Sequence, residues 1–229
     1  MTKATESQGV RIRCVTIETV IFDCDGTLVD SETLTNEVLV GLAREHGVEL
    51  SLAEALTEFA GGKMADVVAA LEGRRGAPLP DAFVPNFRER MTAAFRERLR
   101  PIDGATELLE ALRLPCSVAS SGPREKIELS LSLTGLRRFF DDRIFSAYEV
   151  GSWKPEPGLF LHAAKAQGVP PPCCAVVEDS LPGVHAGVAA GMQVFAFVPE
   201  GPHGMSRAEL PPEVVPVAHL SELVPLFAG

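Results

Sequence analysis

The apolar runs at 19–22, 116–119 and 175–177 each stop at a polar cluster, and a stretch of helical period follows. Strands this poor in polar residues need cover on both faces, which is the pattern of parallel sheets built from strand–helix units and not of half-exposed hairpins. Further strand signals near 143–146, at 193–198 and at 214–217 alternate with helical stretches at 105–112, 124–133, 159–167, 182–190 and 221–227. The expected fold class is α/β, a three-layer core in which helices cover both faces of a parallel sheet.

Between 33 and 100 the alternation stops. Leu34, Val38 and Leu42 recur every four residues until His46 and Gly47, and Ser51 with Glu54 has capping-box spacing. A helix follows from 64 to 71, and Phe83, Phe87, Met91, Phe95 and Leu99 mark one face of a long helix. The expected organisation is a flexible leader at 1–13, an α/β core from 14–30 and 101–229, and an all-helical cap domain at 31–100. Its hinges fall at Asp30 and Ser31 and at 101–104. No internal repeat or low-complexity tract is evident.

A net charge of -10 argues against broad electrostatic attraction to nucleic acid or anionic membrane, so a small anion has to be captured by a local cluster. Cys14, Cys24, Cys116, Cys173 and Cys174 have no zinc spacing and suit free thiols in a reducing compartment. The leader has no apolar core of a signal peptide, and no run of 18 apolar residues occurs. A cytoplasmic monomer is expected. The histidines, His46, His162, His185, His203 and His219, are scattered, which disfavours a histidine metal site.

Every polar signal of interest falls where a strand gives way to a loop: Asp23 and Asp25, Ser120 and Ser121, Lys154, and Glu178 with Asp179. A parallel sheet brings such ends to one edge, where open α/β sheets bind their ligands. The chemistry is complementary: carboxylates suit a hard divalent cation, hydroxyls and backbone N–H groups suit phosphate oxygens, and an ammonium balances charge. Taken alone, each residue has an ordinary explanation as a turn former, a helix cap or a solvated lysine.

The segments Asp23-Cys-Asp-Gly-Thr27, Ser120, Lys154-Pro155 and Glu178-Asp179-Ser180 resemble, in order and spacing, the four motifs of the haloacid dehalogenase superfamily. The helical insert after the first motif resembles the cap of the phosphoglucomutase-like branch. This resemblance covers nearly the whole chain. It implies a Rossmann-like core, magnesium as cofactor and a small phosphate monoester as substrate, a sugar or sugar-acid phosphate by analogy with that branch.

By that resemblance Asp23 is the nucleophile that forms an aspartyl phosphate, and Asp25 is the general acid and base. Lys154 orients Asp23 and screens the phosphate. Ser120, with backbone N–H groups of the turn after Asp23 and of Ser121, holds the phosphoryl oxygens. Magnesium falls to Asp23, the carbonyl oxygen of Asp25 and Asp179, with Glu178 as ligand or one step behind. Arg124, Lys126 and Lys63, the last in the turn with Gly61 and Gly62, are the candidates for further substrate contact.

Departures from relatives narrow the reaction. Dehalogenases lack the second aspartate, and phosphonate-cleaving members have alanine there, so Asp25 speaks against both. Sugar phosphomutases of this branch carry a histidine where Thr35 stands and an arginine where Met64 aligns. Transfer to water is therefore favoured, with a phosphomutase as the alternative. A phosphoaccepting signalling domain without turnover also pairs an aspartate with a lysine and a hydroxyl, but the helical insert fits it badly.

Overall fold

The computed structural model describes residues 16–59, 62–199 and 205–228. The leader at 1–13, Cys14, Gly61 and His203 lie outside the described residues.

Six strands form the sheet: β1 (Thr19–Phe22), β2 (Cys116–Ser120), β3 (Ile144–Ser146), β4 (Cys174–Glu178), β5 (Gln193–Phe197) and β6 (Val215–Val217). Their order is β3-β2-β1-β4-β5-β6, and every pairing is parallel. All residues of β1, β2 and β4 are buried, as their nearly unbroken apolar composition requires. Val20 and Phe22 point into one core and Ile21 into the other, which is the period-two alternation of a strand covered on both sides.

After β1, four helices follow without a strand: α1 (Glu32–Glu45), α2 (Leu52–Glu58), α3 (Met64–Arg75) and α4 (Phe83–Arg98). The expected capping box starts α2, with Ser51 accepting from the Glu54 N–H at 3.2 Å. The chain then passes through α5 (Ala105–Ala111), α6 (Arg124–Leu133), α7 (Ala147–Val150), α8 (Gly158–Gln167), α9 (Leu181–Ala189) and α10 (Val224–Phe227). Leu108, Ile127, Leu131 and Phe227 of α5, α6 and α10 share the core that holds Phe22, whereas Leu159, Phe160 and Val184 of α8 and α9 share the one that holds Ile21.

Where the chain leaves for α1 and returns from α4, its two arms are stitched together. The Asp30 N–H donates to the Arg100 carbonyl at 3.0 Å and the Ile102 N–H to the Leu28 carbonyl at 2.9 Å, with Val29 bridged to Pro101. The apolar stripe Phe83, Phe87, Met91 and Phe95 of α4 packs with Leu39 and Leu42 of α1. That stripe belongs to the same continuous core as Phe22 and Phe140 of the sheet layer.

Among the described residues no helix is long and apolar enough to cross a membrane.

Candidate active site

The chain runs outward from β1 to β3 in one direction and from β4 to β6 in the other, so β1 and β4 flank the point where strand order reverses. Ligand crevices in open parallel sheets form outside the carboxyl ends of such a pair. Asp23 follows β1 directly, and its N–H donates to the Val177 carbonyl of β4 at 2.9 Å. A cavity of about 540 Å³ opens above this edge, lined by Asp23, Asp25, Ser120, Ser121, Lys154 and Asp179 from the sheet side.

Lys154 is the electrostatic centre of the floor. Its ammonium is hydrogen-bonded to Oδ1 of Asp23 and to Oε1 of Glu178. Burial works against that charge, but the two carboxylates outweigh it and hold the lysine protonated above its ordinary range. Asp23 is pushed the other way: burial raises its carboxyl to about 8 against the pull of Lys154, with Glu178 and Asp25 adding repulsion. Asp179 is raised well above the usual carboxylate range by burial and by Glu32, Glu178 and Asp23. Two carboxylates destabilised in this way describe a pocket short of positive charge.

Asp25 behaves differently. Burial would raise it, but Lys126 at 2.9 Å and the Ser31 hydroxyl, which donates to Oδ1 at 2.5 Å, hold it below the usual range. Asp179 accepts from Thr27 Oγ1 at 2.8 Å. Gly26, at φ 80°, lets the turn pass directly under that carboxylate. Ser120 ends β2 and accepts from the Gly122 N–H at 3.1 Å, which shapes the turn at 121–123 around the cavity.

Two of the candidate residues stand off the cavity. Glu178 is fully buried and outside the cavity lining, and both its oxygens are engaged, Oε1 by Lys154 and Oε2 by the N–H and hydroxyl of Ser180, each at 2.9 Å. It holds Lys154 and caps the turn into α9, which suits the place one step behind the metal that the resemblance also allowed. Arg124 also stands outside the cavity lining, bonded to Glu149 at 2.6 Å, to Glu128 at 3.5 Å and to the Ile144 carbonyl at 2.6 Å. Lys126, two residues on, is the cation of α6 that lines the cavity. Lys63 also lines it, with its ammonium 4.7 Å from the centroid of the Trp153 ring.

Four residues at the start of α1 line the cavity, and the sequence did not mark them as site residues, showing Ser31 only as a hinge and Thr35 only as a departure from the mutases. Ser31 holds Asp25; Glu32 is raised to about 7 by burial and then by Asp25; the Thr35 hydroxyl is buried without a partner; Asn36 donates to the Glu32 carbonyl at 2.9 Å. The available signal was a polar first turn on a helix that begins seven residues after Asp25.

Among the described residues, no three His, Cys, Asp or Glu side chains form a group that could hold a metal ion. The donor set implied by the resemblance is compatible with this, because it has two side-chain carboxylates, Asp23 and Asp179, and one backbone carbonyl. Their raised carboxyls are the local reason a cation would be welcome.

A model of haloacid dehalogenase-like hydrolases matches residues 17–191. The chain belongs to this family. It is accordingly an enzyme, a hydrolase. It is 36% identical over 212 residues to the 6-phosphogluconate phosphatase of Escherichia coli K12, across 92% of this chain and 95% of that protein. Hexitol phosphatase A of the same organism is 32% identical, across 77% and 81% of the two chains. A haloacid dehalogenase family hydrolase from Deinococcus radiodurans R1, solved with bound phosphate and sodium, superposes with a TM-score of 0.74 at 31% identity, covering 93% of this chain and 98% of its own.

Proposed function

We propose that this chain is a magnesium-dependent phosphatase that hydrolyses a small sugar or sugar-acid phosphate through an aspartyl phosphate on Asp23. The observation that carries this reading is the meeting of Asp23, Asp25, Ser120, Lys154 and Asp179 around one cavity at the β1–β4 switch point. The names of the two Escherichia coli relatives, and the phosphate bound in the Deinococcus neighbour, support the substrate class.

In the first step an Asp23 oxygen attacks phosphorus in line while the bond to the sugar oxygen breaks, and Asp25 gives that oxygen its proton. Asp25 then takes a proton from water, whose oxygen attacks phosphorus and returns Asp23 as a free carboxylate with inorganic phosphate. Lys126 keeps Asp25 deprotonated before substrate arrives. An incoming phosphate competes for the same ammonium, which loosens that hold and lets Asp25 take up from solvent the proton the first step needs. Ser120, the Ser121 N–H and Lys154 grip the phosphoryl oxygens. Magnesium, held by Asp23, Asp179 and the Asp25 carbonyl, would offset the repulsion between anionic nucleophile and anionic substrate. Helices α1 to α4 serve as the cap that shields the pocket from bulk water.

The test is phosphate release from 6-phosphogluconate and p-nitrophenyl phosphate with and without magnesium, for the native chain and for Asp23→Asn. Magnesium-dependent release that disappears in the variant is expected. Retained activity in Asp23→Asn overturns the assignment, and a phosphoprotein stable for minutes favours a signalling domain instead.

A further inference from the structure

Helix α4 carries the tetrapeptide Phe-Arg-Glu-Arg at 87–90 and again at 95–98. In each copy the phenylalanine is core, and the two arginines have opposite fates. The second arginine of each copy is paired to α1: Arg90 grips Glu45 with bonds of 2.6 and 2.8 Å, and Arg98 reaches Glu37 at 2.7 Å. The first arginine of each copy, Arg88 and Arg96, lines the active-site cavity. Among the described residues neither has a hydrogen-bond or ion-pair partner. Glu125 lines the same cavity but pairs with neither of them.

Arg88, Thr92 and Arg96 are spaced by four residues and so occupy one flank of α4, beside its buried stripe. The C-terminal half of that helix lies close to the reacting groups, because Lys126 sits 2.9 Å from Asp25 and 5.9 Å from the Phe95 ring centroid. Eight residues of helix separate the two arginines by roughly 12 Å along the axis. The cavity therefore carries cations at the phosphate end and a second cationic strip reaching away from it, with a hydroxyl between the arginines.

We propose that Arg88 and Arg96 form a subsite for a carboxylate at the far end of the substrate, so that the chain selects sugar-acid phosphates over neutral sugar or polyol phosphates. The inference rests on the phosphatase reading above. A guanidinium fork binds a carboxylate through paired N–H groups, and such charged contacts inside a partly enclosed cavity discriminate strongly against a neutral hydroxyl. Arg90 and Arg98, already bonded to α1, show that α4 satisfies its arginines wherever the fold supplies an acid. Over the cavity no acid of the fold, Glu125 and Glu32 included, reaches Arg88 or Arg96, and the substrate would.

The experiment compares 6-phosphogluconate with sorbitol 6-phosphate, which differ only in a carboxylate against a hydroxymethyl group. Native enzyme should favour the acid, and Arg88→Gln or Arg96→Gln should raise KM for it by about ten- to a hundredfold, the loss expected for a charged hydrogen bond. KM for sorbitol 6-phosphate should stay within about twofold by the same reasoning. Arg90→Gln, on the other flank, should leave the ratio unchanged. Equal effects on both esters, or the same shift from Arg90→Gln, overturn the subsite while the phosphatase reading stands. Preference for sorbitol 1,6-bisphosphate over the acid overturns the assignment to a carboxylate. Failure of the native chain to hydrolyse any of these esters overturns the phosphatase reading and the subsite with it.

Discussion

A β-carbon placed on Gly26 would stand 2.0 Å from Oδ2 of Asp179. The first motif and the fourth, 152 residues apart by the Thr27–Asp179 hydrogen bond, are thus fitted to each other through the absence of a side chain as much as through a contact. Gly26 also has φ 80°, which a β-carbon strains. Gly26→Ala should cost on the order of 1–3 kcal/mol in denaturant unfolding. Because it displaces Asp179, it should also raise the magnesium concentration for half-maximal activity about tenfold or more. A variant with native magnesium dependence would show that Asp179 is not tied to the metal.

Lys154 is bonded to two buried carboxylates at once, so its removal strands both. Lys154→Met should abolish activity and lower stability by about 3–5 kcal/mol, as for other broken buried ion pairs. The double variant Lys154→Met with Glu178→Gln removes one of the stranded charges and should recover part of that loss. Urea titrations of the two variants and the native chain decide it: a double variant less stable than the single one contradicts the charge balance drawn for this floor.

Trp153 is the single tryptophan of the chain, and the Lys63 ammonium stands over its ring. This contact joins the turn before α3 to the loop that carries Lys154. Lys63→Ala should therefore change the Trp153 emission while costing only about 1 kcal/mol or less, the usual scale of an exposed cation–π contact. If Lys63 also reads substrate, the variant should alter activity toward at least one ester in a phosphometabolite panel. An unchanged profile leaves Lys63 as a fastener only.

The core was readable because its strands are short, apolar and buried on both faces, so each announces its end by a change to polar residues. The capping box at Ser51 and the stripe from Phe83 to Phe95 were equally plain. Helix α3 runs four residues past its expected end at 71, because Glu72, Gly73, Arg74 and Arg75 lie beyond its buried residues and carry no apolar period. The four-residue α7 is too short to have a period at all. Among the site residues, those at strand ends could be placed from topology, since a parallel sheet fixes the edge they share. Arg88 and Arg96 could not, because which flank of α4 overlooks the cavity depends on how α4 packs against α1. Whether Glu178 is a ligand or stands one step behind was undecided for a related reason: sequence order places it beside Asp179, but the last residue of β4 points into the protein toward Lys154, whereas the next one lines the cavity.

Arg124 and Lys126 are two residues apart on α6, and the sequence offers no ground for choosing between them. The structure separates them sharply. Arg124 is tied to Glu149 and Glu128 near the surface, and such exposed pairs contribute about 0–1 kcal/mol. Lys126 is 17% exposed in its side chain and contacts Asp25. Arg124→Met should leave kcat unchanged. Lys126→Met removes the nearest cation that holds Asp25 deprotonated, leaving Ser31 and the more distant Lys154, and should lower kcat about ten- to a hundredfold, the scale set by losing a hydrogen bond to a charged group. Steady-state rates for the two variants, each checked for native folding by circular dichroism, give the comparison. Equal rates for Lys126→Met and the native chain would remove Lys126 from the reaction and leave Asp25 to act without it.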